Sequence, residues 1–271
     1  MPELPEVETI VRGLRGDLVG RVVNGATVLW PRTVEPLSPE AFAVRLSGQR
    51  IEALDRRGKY IVLKLNRDYL LIHLRMTGRL YVALPDQVGE ADRWLRVRIA
   101  LDDGRELRFS DARKFGRMHL TAQPEQVLGD LGPEPLSETF TLDRFHRVLA
   151  GRRGAMKPLL VRQSFLAGIG NIYADEALWQ AEIHPQRPAH TLTASEIERL
   201  YHAIRTVLGE GIDHEGASVN WYRKPDGSTG EQQDHFRVYG RRGKACPRCG
   251  QPIERITLGQ RGTYFCPRCQ R

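Results

Sequence analysis

The first 245 residues contain no cysteine, so no disulfide framework can organise the body of this 271-residue chain. No run of apolar residues approaches the roughly 20 needed to span a bilayer. The N-terminus also lacks the basic-then-apolar pattern of a secretion signal. These absences make the cytoplasm the expected compartment and leave no membrane partner to look for. Acidic residues are the scarcer charge, 33 against 41 Lys plus Arg, for a net charge of +8. A surplus of that sign suits a polyanionic partner, although merely soluble basic proteins share it. The shortage is sharpest at the end, where Glu254 is the sole acid after residue 236 and nine basic residues accompany it.

What remains is ordinary globular composition at a length suited to two cores. Val7, Ile10, Val11, Leu14 and Leu18 recur at helical spacing behind Pro5. From about residue 21 to 122 the pattern becomes short strands. Residues 60–65 and 69–74 flank Asn66-Arg67-Asp68, and 95–101 turns through Asp102-Asp103-Gly104 into 106–109. Successive strands without intervening helices predict an antiparallel sandwich. Prolines and glycines in 123–140 mark a linker. Helices are predicted over 142–150, 156–165 and 171–180, and another opens at the capping box Thr193-Ala-Ser-Glu196. Residues 213–235 are polar and glycine-bearing and read as a long mobile loop. No internal repeat is visible.

The expected fold class is therefore α+β. An N-terminal antiparallel β-sandwich domain with flanking helices spans 1–122 and the linker spans 123–140. A helical domain occupies 141–235 and a stapled tail occupies 236–271.

The four cysteines form two pairs, Cys246-Pro-Arg-Cys249 and Cys266-Pro-Arg-Cys269, separated by sixteen residues. That spacing lets two knuckles converge on one tetrahedral Zn2+, and a tail this short needs a staple. Two disulfides are the alternative, disfavoured where thiols are kept reduced. A set of four cysteines leaves no open coordination position, so the zinc is structural. The segment between the pairs reads as a β-hairpin presenting Arg261. Upstream, Gly168-Ile-Gly-Asn171 joins two helical stretches. Its glycines admit close backbone approach, and the next helix's N–H groups can face an anion, although an ordinary helix turn reads the same way.

The opening Met1-Pro2-Glu3-Leu4-Pro5-Glu6-Val7-Glu8 resembles that of the formamidopyrimidine-DNA glycosylases, the oxidised-purine branch of a family that also contains endonuclease VIII. Further blocks match in order: Arg57-Gly58-Lys59-Tyr60, residues 73–78 around Met76, Asp111-Ala-Arg113-Lys-Phe115-Gly116, the Gly168–Tyr173 turn, residues 239–243 and the cysteine hairpin. The resemblance covers essentially the whole chain. It implies a bifunctional glycosylase and abasic-site lyase of base excision repair, excising 8-oxoguanine and formamidopyrimidines. The helical domain would be a helix-two-turn-helix, the partner damaged double-stranded DNA, and the protein a bacterial monomer associated with the nucleoid.

By the same resemblance, Pro2 is the nucleophile, Glu3 the general acid, Lys59 a phosphate contact that assists β-elimination, and Arg261 the arginine of δ-elimination. Met76, Arg113 and Phe115 match the trio that fills the gap left by an extruded base, and Arg153 and Asn171 match DNA contacts. The chemistry is coherent on its own terms. Initiator Met is commonly removed before proline, and the secondary amine so freed has a reference pKa near ~8, close to that of a neutral nucleophile at working pH. Leu4-Pro5 and the Arg113/Phe115 pair favour oxidised purines over oxidised pyrimidines. Intact Pro2, Glu3 and Lys59 argue against a non-catalytic DNA-binding scaffold. The sequence departs from the family in two places. The loop 216–227, where the family's base-capping loop falls, carries Ser218-Val219-Asn220-Trp221 in place of a glycine-threonine-rich run, and Trp94 stands where the family has a histidine.

Overall fold

The computed structural model describes residues 1–271 as two compact units, one of residues 1–129 with 215–230 and the other of 130–214 with 231–271. In the first unit the predicted opening helix is α1 (Leu4–Leu18), with Pro5 in its first turn. Leu4, Val7, Ile10, Val11, Leu14 and Leu18 are all buried, as their spacing requires. Strand β1 (Val23–Val28) and helix α2 (Pro39–Leu46) follow, then β2 (Ile51–Arg57), β3 (Tyr60–Leu65), β4 (Tyr69–His73), β5 (Gly78–Ala83), β6 (Leu95–Leu101), β7 (Glu106–Asp111), β8 (Arg117–Thr121) and the one-turn α3 (Glu125–Leu128).

The strands form two four-stranded antiparallel sheets, ordered β1-β6-β7-β5 and β2-β3-β4-β8. Along β6, Val97, Ile99 and Leu101 are buried while Arg98 and Ala100 between them are only partly so. That period of two turns one face of each strand inward. The inward residues share one core with α1. At the β3–β4 turn, Asp68 accepts both forks of Arg45 (3.0 and 2.6 Å) and the Gln49 amide (2.8 Å). A buried carboxylate is tolerated there because its oxygens are satisfied.

The second unit holds α4 (Leu142–Leu149), α5 (Met156–Leu160), α6 (Asn171–Gln180), α7 (Ala194–Asp213), β9 (Glu254–Leu258) and β10 (Arg261–Phe265). Helix α6 is buried from Ile172 through Trp179. The capping box of α7 forms as its sequence predicts: Thr193 Oγ1 accepts the Glu196 N–H (3.3 Å) and Glu196 accepts the Thr193 N–H (2.8 Å). Two expectations need correction. The predicted helix 156–165 stops at Leu160, because the Gln163 side chain takes over the backbone groups beyond it. Its amide donates to Val161 and Ile169 carbonyls (3.1 and 2.7 Å) and its oxygen accepts the Gly168 N–H (3.0 Å). Residues 215–230, read from the sequence as part of the helical segment, pack with the first unit instead. These residues form a strap on that unit.

Helix α7 offers a paired test. A Cβ at Gly211 would collide with the Tyr173 ring, whereas one at Gly209 would meet nothing. Gly211→Ala should lower stability by about 1–3 kcal/mol through overpacking, and Gly209→Ala should raise it by about 0.5–1 kcal/mol through helix entropy. Chemical denaturation of the two variants checks both signs.

Candidate active site

In the first unit the candidate residues gather at the start of α1. Pro2 is buried, Glu3 is 3 % exposed and Lys59 is 4 % exposed. Glu3 sits at the N-cap position, and its own N–H is received by Glu6 (2.7 Å). Lys59 lies on the two-residue turn between β2 and β3, where Gly58 takes a positive φ of 57°. Arg56 ties that turn to α1, pairing with Glu8 (3.1 Å) and donating to the Gly58 carbonyl (3.1 Å). The Met1 α-amine is held below its ordinary value of 8.0, first by burial. Glu3 and Glu6 pull it back up, and Lys59 pushes it further down. All three side chains therefore lie close enough to act on it. Surroundings that bias an amine at the chain start towards its neutral form, with a carboxyl group and an ammonium nearby, suit a nucleophile with a proton carrier and an anion contact.

Glu6 was not among the residues singled out from the sequence. Its second oxygen accepts the Ala217 N–H (2.8 Å). The capping pattern of an acid three residues beyond an N-cap was its only legible signal.

Behind the Lys59 turn lies His73, whose ring meets Tyr60 edge-on at 4.7 Å and whose Nδ1 accepts the Arg75 N–H (3.0 Å). Burial, with Arg75 and Lys59 nearby, pushes its pKa down to about 3. The ring is neutral at working pH and shapes the turn that carries Met76.

Met76, Arg113 and Phe115 are all exposed, with Met76 at 45 % and Phe115 at 47 %. The Arg113 guanidinium lies 2.9 Å from the Met76 sulfur and 4.7 Å above the Phe115 ring, so the trio is assembled in one place. Asp111, fully buried, braces it. Its carboxylate receives the Thr77 hydroxyl, the Arg113 N–H (3.2 Å) and the Gly116 N–H (2.7 Å), joining the Met76 turn to the 111–116 turn. Gly116 is required there, since a Cβ would strike the Phe109 ring. Two large apolar side chains held in solvent on a braced platform mark a contact surface.

The second unit carries the other candidates. Asn171 opens α6 and its amide donates to the Gly262 carbonyl of the hairpin (3.1 Å). Lys157, buried, donates to the same carbonyl (2.9 Å) and to Thr263 (2.8 Å), and it pairs with the buried Asp175 at 2.7 Å. Asp175 also accepts the Tyr264 N–H (3.0 Å). Burial raises its pKa to about 7, against the opposing pull of Lys157. Neighbouring Glu176 receives the N–H groups of Arg237, Val238 and Tyr239 (2.9, 3.0 and 2.8 Å). No periodicity or motif in the sequence revealed these anchors. Arg261 stands exposed where the turn Gly259–Gln260, both at positive φ, enters β10. Arg153 is exposed on the turn before α5, where it, Arg152 and Arg162 line a shallow depression. Three guanidinium groups around one hollow suit a phosphate.

The sulfur atoms of Cys246, Cys249, Cys266 and Cys269 all lie within 4.8 Å of one another. Tetrahedral Zn–S bonds of about 2.3 Å place thiolates roughly 3.8 Å apart, so the donor set fits one structural zinc. Trp179 donates its indole N–H to the Cys246 sulfur (3.4 Å).

Comparison with known proteins covers the same ground. Residues 1–118 match the model of the formamidopyrimidine-DNA glycosylase N-terminal domain, 131–222 its H2TH domain, and 243–271 the zinc finger found in FPG and IleRS. The chain is 50 % identical to the formamidopyrimidine-DNA glycosylase of Herpetosiphon aurantiacus over all of both chains. A Lactococcus lactis relative, solved in complex with Fapy-dG-containing DNA, is 36 % identical with a TM-score of 0.90, over 99 % of this chain and all of that one. A relative solved with DNA containing carbocyclic 8-oxo-G is 37 % identical with a TM-score of 0.90, over the whole of both chains.

Two outcomes check the site. Metal analysis of reduced protein should find one zinc per chain, and Cys249→Ser should lower that content and weaken DNA binding while leaving the first unit folded. The His73 ring titrates near 6.5 when unfolded but only near 3 when folded. The unfolded state therefore binds the extra proton between those values, and its contribution to stability is full above about pH 6.5 and falls as pH drops. Urea midpoints between pH 5 and 7 should fall less steeply for His73→Phe than for wild type.

Proposed function

The chain belongs to the formamidopyrimidine-DNA glycosylase family, and we propose that it is a bifunctional DNA glycosylase and abasic-site lyase that excises oxidised purines, 8-oxoguanine and formamidopyrimidines, from double-stranded DNA. The observation that carries this reading is the chain start, where Pro2, Glu3 and Lys59 are all buried and the same surroundings hold the neighbouring Met1 amine below its ordinary value. Removal of Met1 leaves Pro2 with a secondary amine. Its lone pair attacks the sugar C1′, the bond from C1′ to the base breaks, and the departing base takes up the proton that the Pro2 nitrogen sheds. Glu3 donates a proton to the ring oxygen as the sugar opens, leaving an iminium between Pro2 nitrogen and C1′. That cation acidifies the C2′ proton. Its loss expels the 3′ phosphate in β-elimination, with Lys59 against a phosphate. A second elimination, assisted by Arg261, releases the 5′ phosphate. Water then hydrolyses the iminium and regenerates Pro2.

The remaining candidates hold DNA. Met76, Arg113 and Phe115 fill the space left by the extruded base, and the donors of Arg113 face its orphaned partner. Arg153 and Asn171 take phosphates, and the 215–230 strap covers the extruded base. Zinc supplies no chemistry, since it staples the hairpin that presents Arg261. The DNA-bound states of the relatives support the substrate class.

Borohydride reduces an iminium to a stable amine, so it should trap a covalent adduct between Pro2 and an 8-oxoguanine duplex, seen as a shifted band on a denaturing gel. Extending the chain ahead of Pro2 should abolish the adduct. Undiminished trapping by the extended protein would remove Pro2 from the mechanism.

A further inference from the structure

The strap 215–230 is tied both to the rest of the first unit and across itself. At its entrance the Ala217 N–H donates to Glu6 (2.8 Å), and Gly216, with φ of 82°, packs against the same side chain. In its middle Tyr222 is buried in the sandwich core and donates to the Glu215 carbonyl (3.0 Å). On its return Lys224 pairs with Glu215 (2.7 Å) and Pro225 lies against Gly13. At its exit the Gly230 N–H donates to Ser218 (3.0 Å). Between these fastenings lies a tip, Val219-Asn220-Trp221, exposed throughout. Arg223, just beyond the tip, donates to the Asn220 carbonyl (3.2 Å). The tip's tie beyond the strap is an aromatic one. The Trp221 ring meets Trp94 edge to face, centroids 5.6 Å apart and planes at 80°.

Trp94 is a firm anchor. It ends the one-turn 3₁₀ helix Glu90–Trp94. Asp92 in that turn receives the Tyr81 hydroxyl (2.7 Å), buried Arg108 (3.1 Å) and the Gly89 N–H (2.7 Å). Ser110 donates to the Ala91 carbonyl. Trp94 therefore stands on a rigid support, while Trp221, 46 % exposed, rides on a segment with few other holds.

We propose that Trp94 and Trp221 form a clasp that holds the strap in its fastened conformation before DNA binds, making both of them positioning residues for base excision. The strap's entrance shares Glu6 with the Glu3 N–H beside Pro2, so a strap held shut presents Ser218 to Asn220 as a ready wall for the base. A preformed wall avoids the ordering step that a mobile loop must complete at each encounter. The role in excision rests on the reading that Pro2 is the nucleophile and that the strap covers the base, whereas the clasp itself does not.

Trypsin, which cuts after Arg223 but not at the Lys224–Pro225 bond, reads the clasp in DNA-free protein. Trp94→Ala and Trp221→Ala should each raise cleavage there about threefold to tenfold, the range an edge-to-face pair contributes. The double variant should go no further than either single one, and Trp94→Phe should stay near wild type. Unchanged cleavage, or additive effects, overturns the clasp. Single-turnover assays read the consequence. Trp94→Ala should slow 8-oxoguanine excision while cleaving a preformed abasic-site duplex at the wild-type rate. Unchanged excision overturns the positioning role, as does an equal loss on both duplexes, which would place Trp94 on the DNA. Wild-type protein inert on both duplexes would refute the glycosylase reading, and the trypsin rates would still decide the clasp.

Discussion

The carboxylate of Glu6 receives two backbone N–H groups from distant parts of the chain, Glu3 on one oxygen and Ala217 on the other. A carboxylate 2 % exposed survives burial only if its oxygens are satisfied, and here the satisfying groups are the chain start and the strap entrance. The position of Pro2, the N-terminal geometry of α1 and the course of residues 215–230 all follow from that one constraint. Replacing either N–H would leave a buried charge short of a partner, a larger penalty than the hydrogen bond itself is worth.

The second unit solves an equivalent problem with opposite charges. Lys157 and Asp175 are both buried, and their mutual attraction does not by itself offset desolvation. Each is therefore completed by hairpin backbone or hydroxyl groups, Gly262 and Thr263 for the lysine and Tyr264 for the aspartate. The pair contributes placement more than stability, since β10, and with it Arg261, is fixed against the first turns of α6. Zinc and Trp179 hold the other end of the same hairpin. A short tail with little core of its own is thus located by polar bonds at one end and by metal ligation at the other.

The Met76, Arg113 and Phe115 trio shows how apolar groups can be kept in water. Left to itself the exposed surface would be minimised by collapse into the sandwich, but Asp111 and the glycine at 116 hold the two turns outward. The Arg113 guanidinium then covers the Phe115 face and touches the Met76 sulfur, so the three shield one another.

Features that depend on near neighbours were legible in the chain before any coordinates. The apolar stripe of α1, the turn residues of the hairpins, the Thr193–Glu196 box and the cysteine spacing all belong here, because each reflects interactions spanning a few residues or one metal. Pro2, Glu3, Lys59 and the exposed trio were legible as motifs. What only the tertiary structure decided is where charged and polar segments find their partners. Residues 215–230 look like solvated loop by composition, yet Glu6 and the core site of Tyr222 draw them into the first unit. Lys157 and Asp175 look like surface charges until α6 brings them together, and Trp94 and Trp221 are ordinary aromatics until the strap folds back. Burying a charge or pinning a polar segment is unfavourable unless a partner lies within about 3 Å, and only the folded chain brings residues so distant in sequence to that separation.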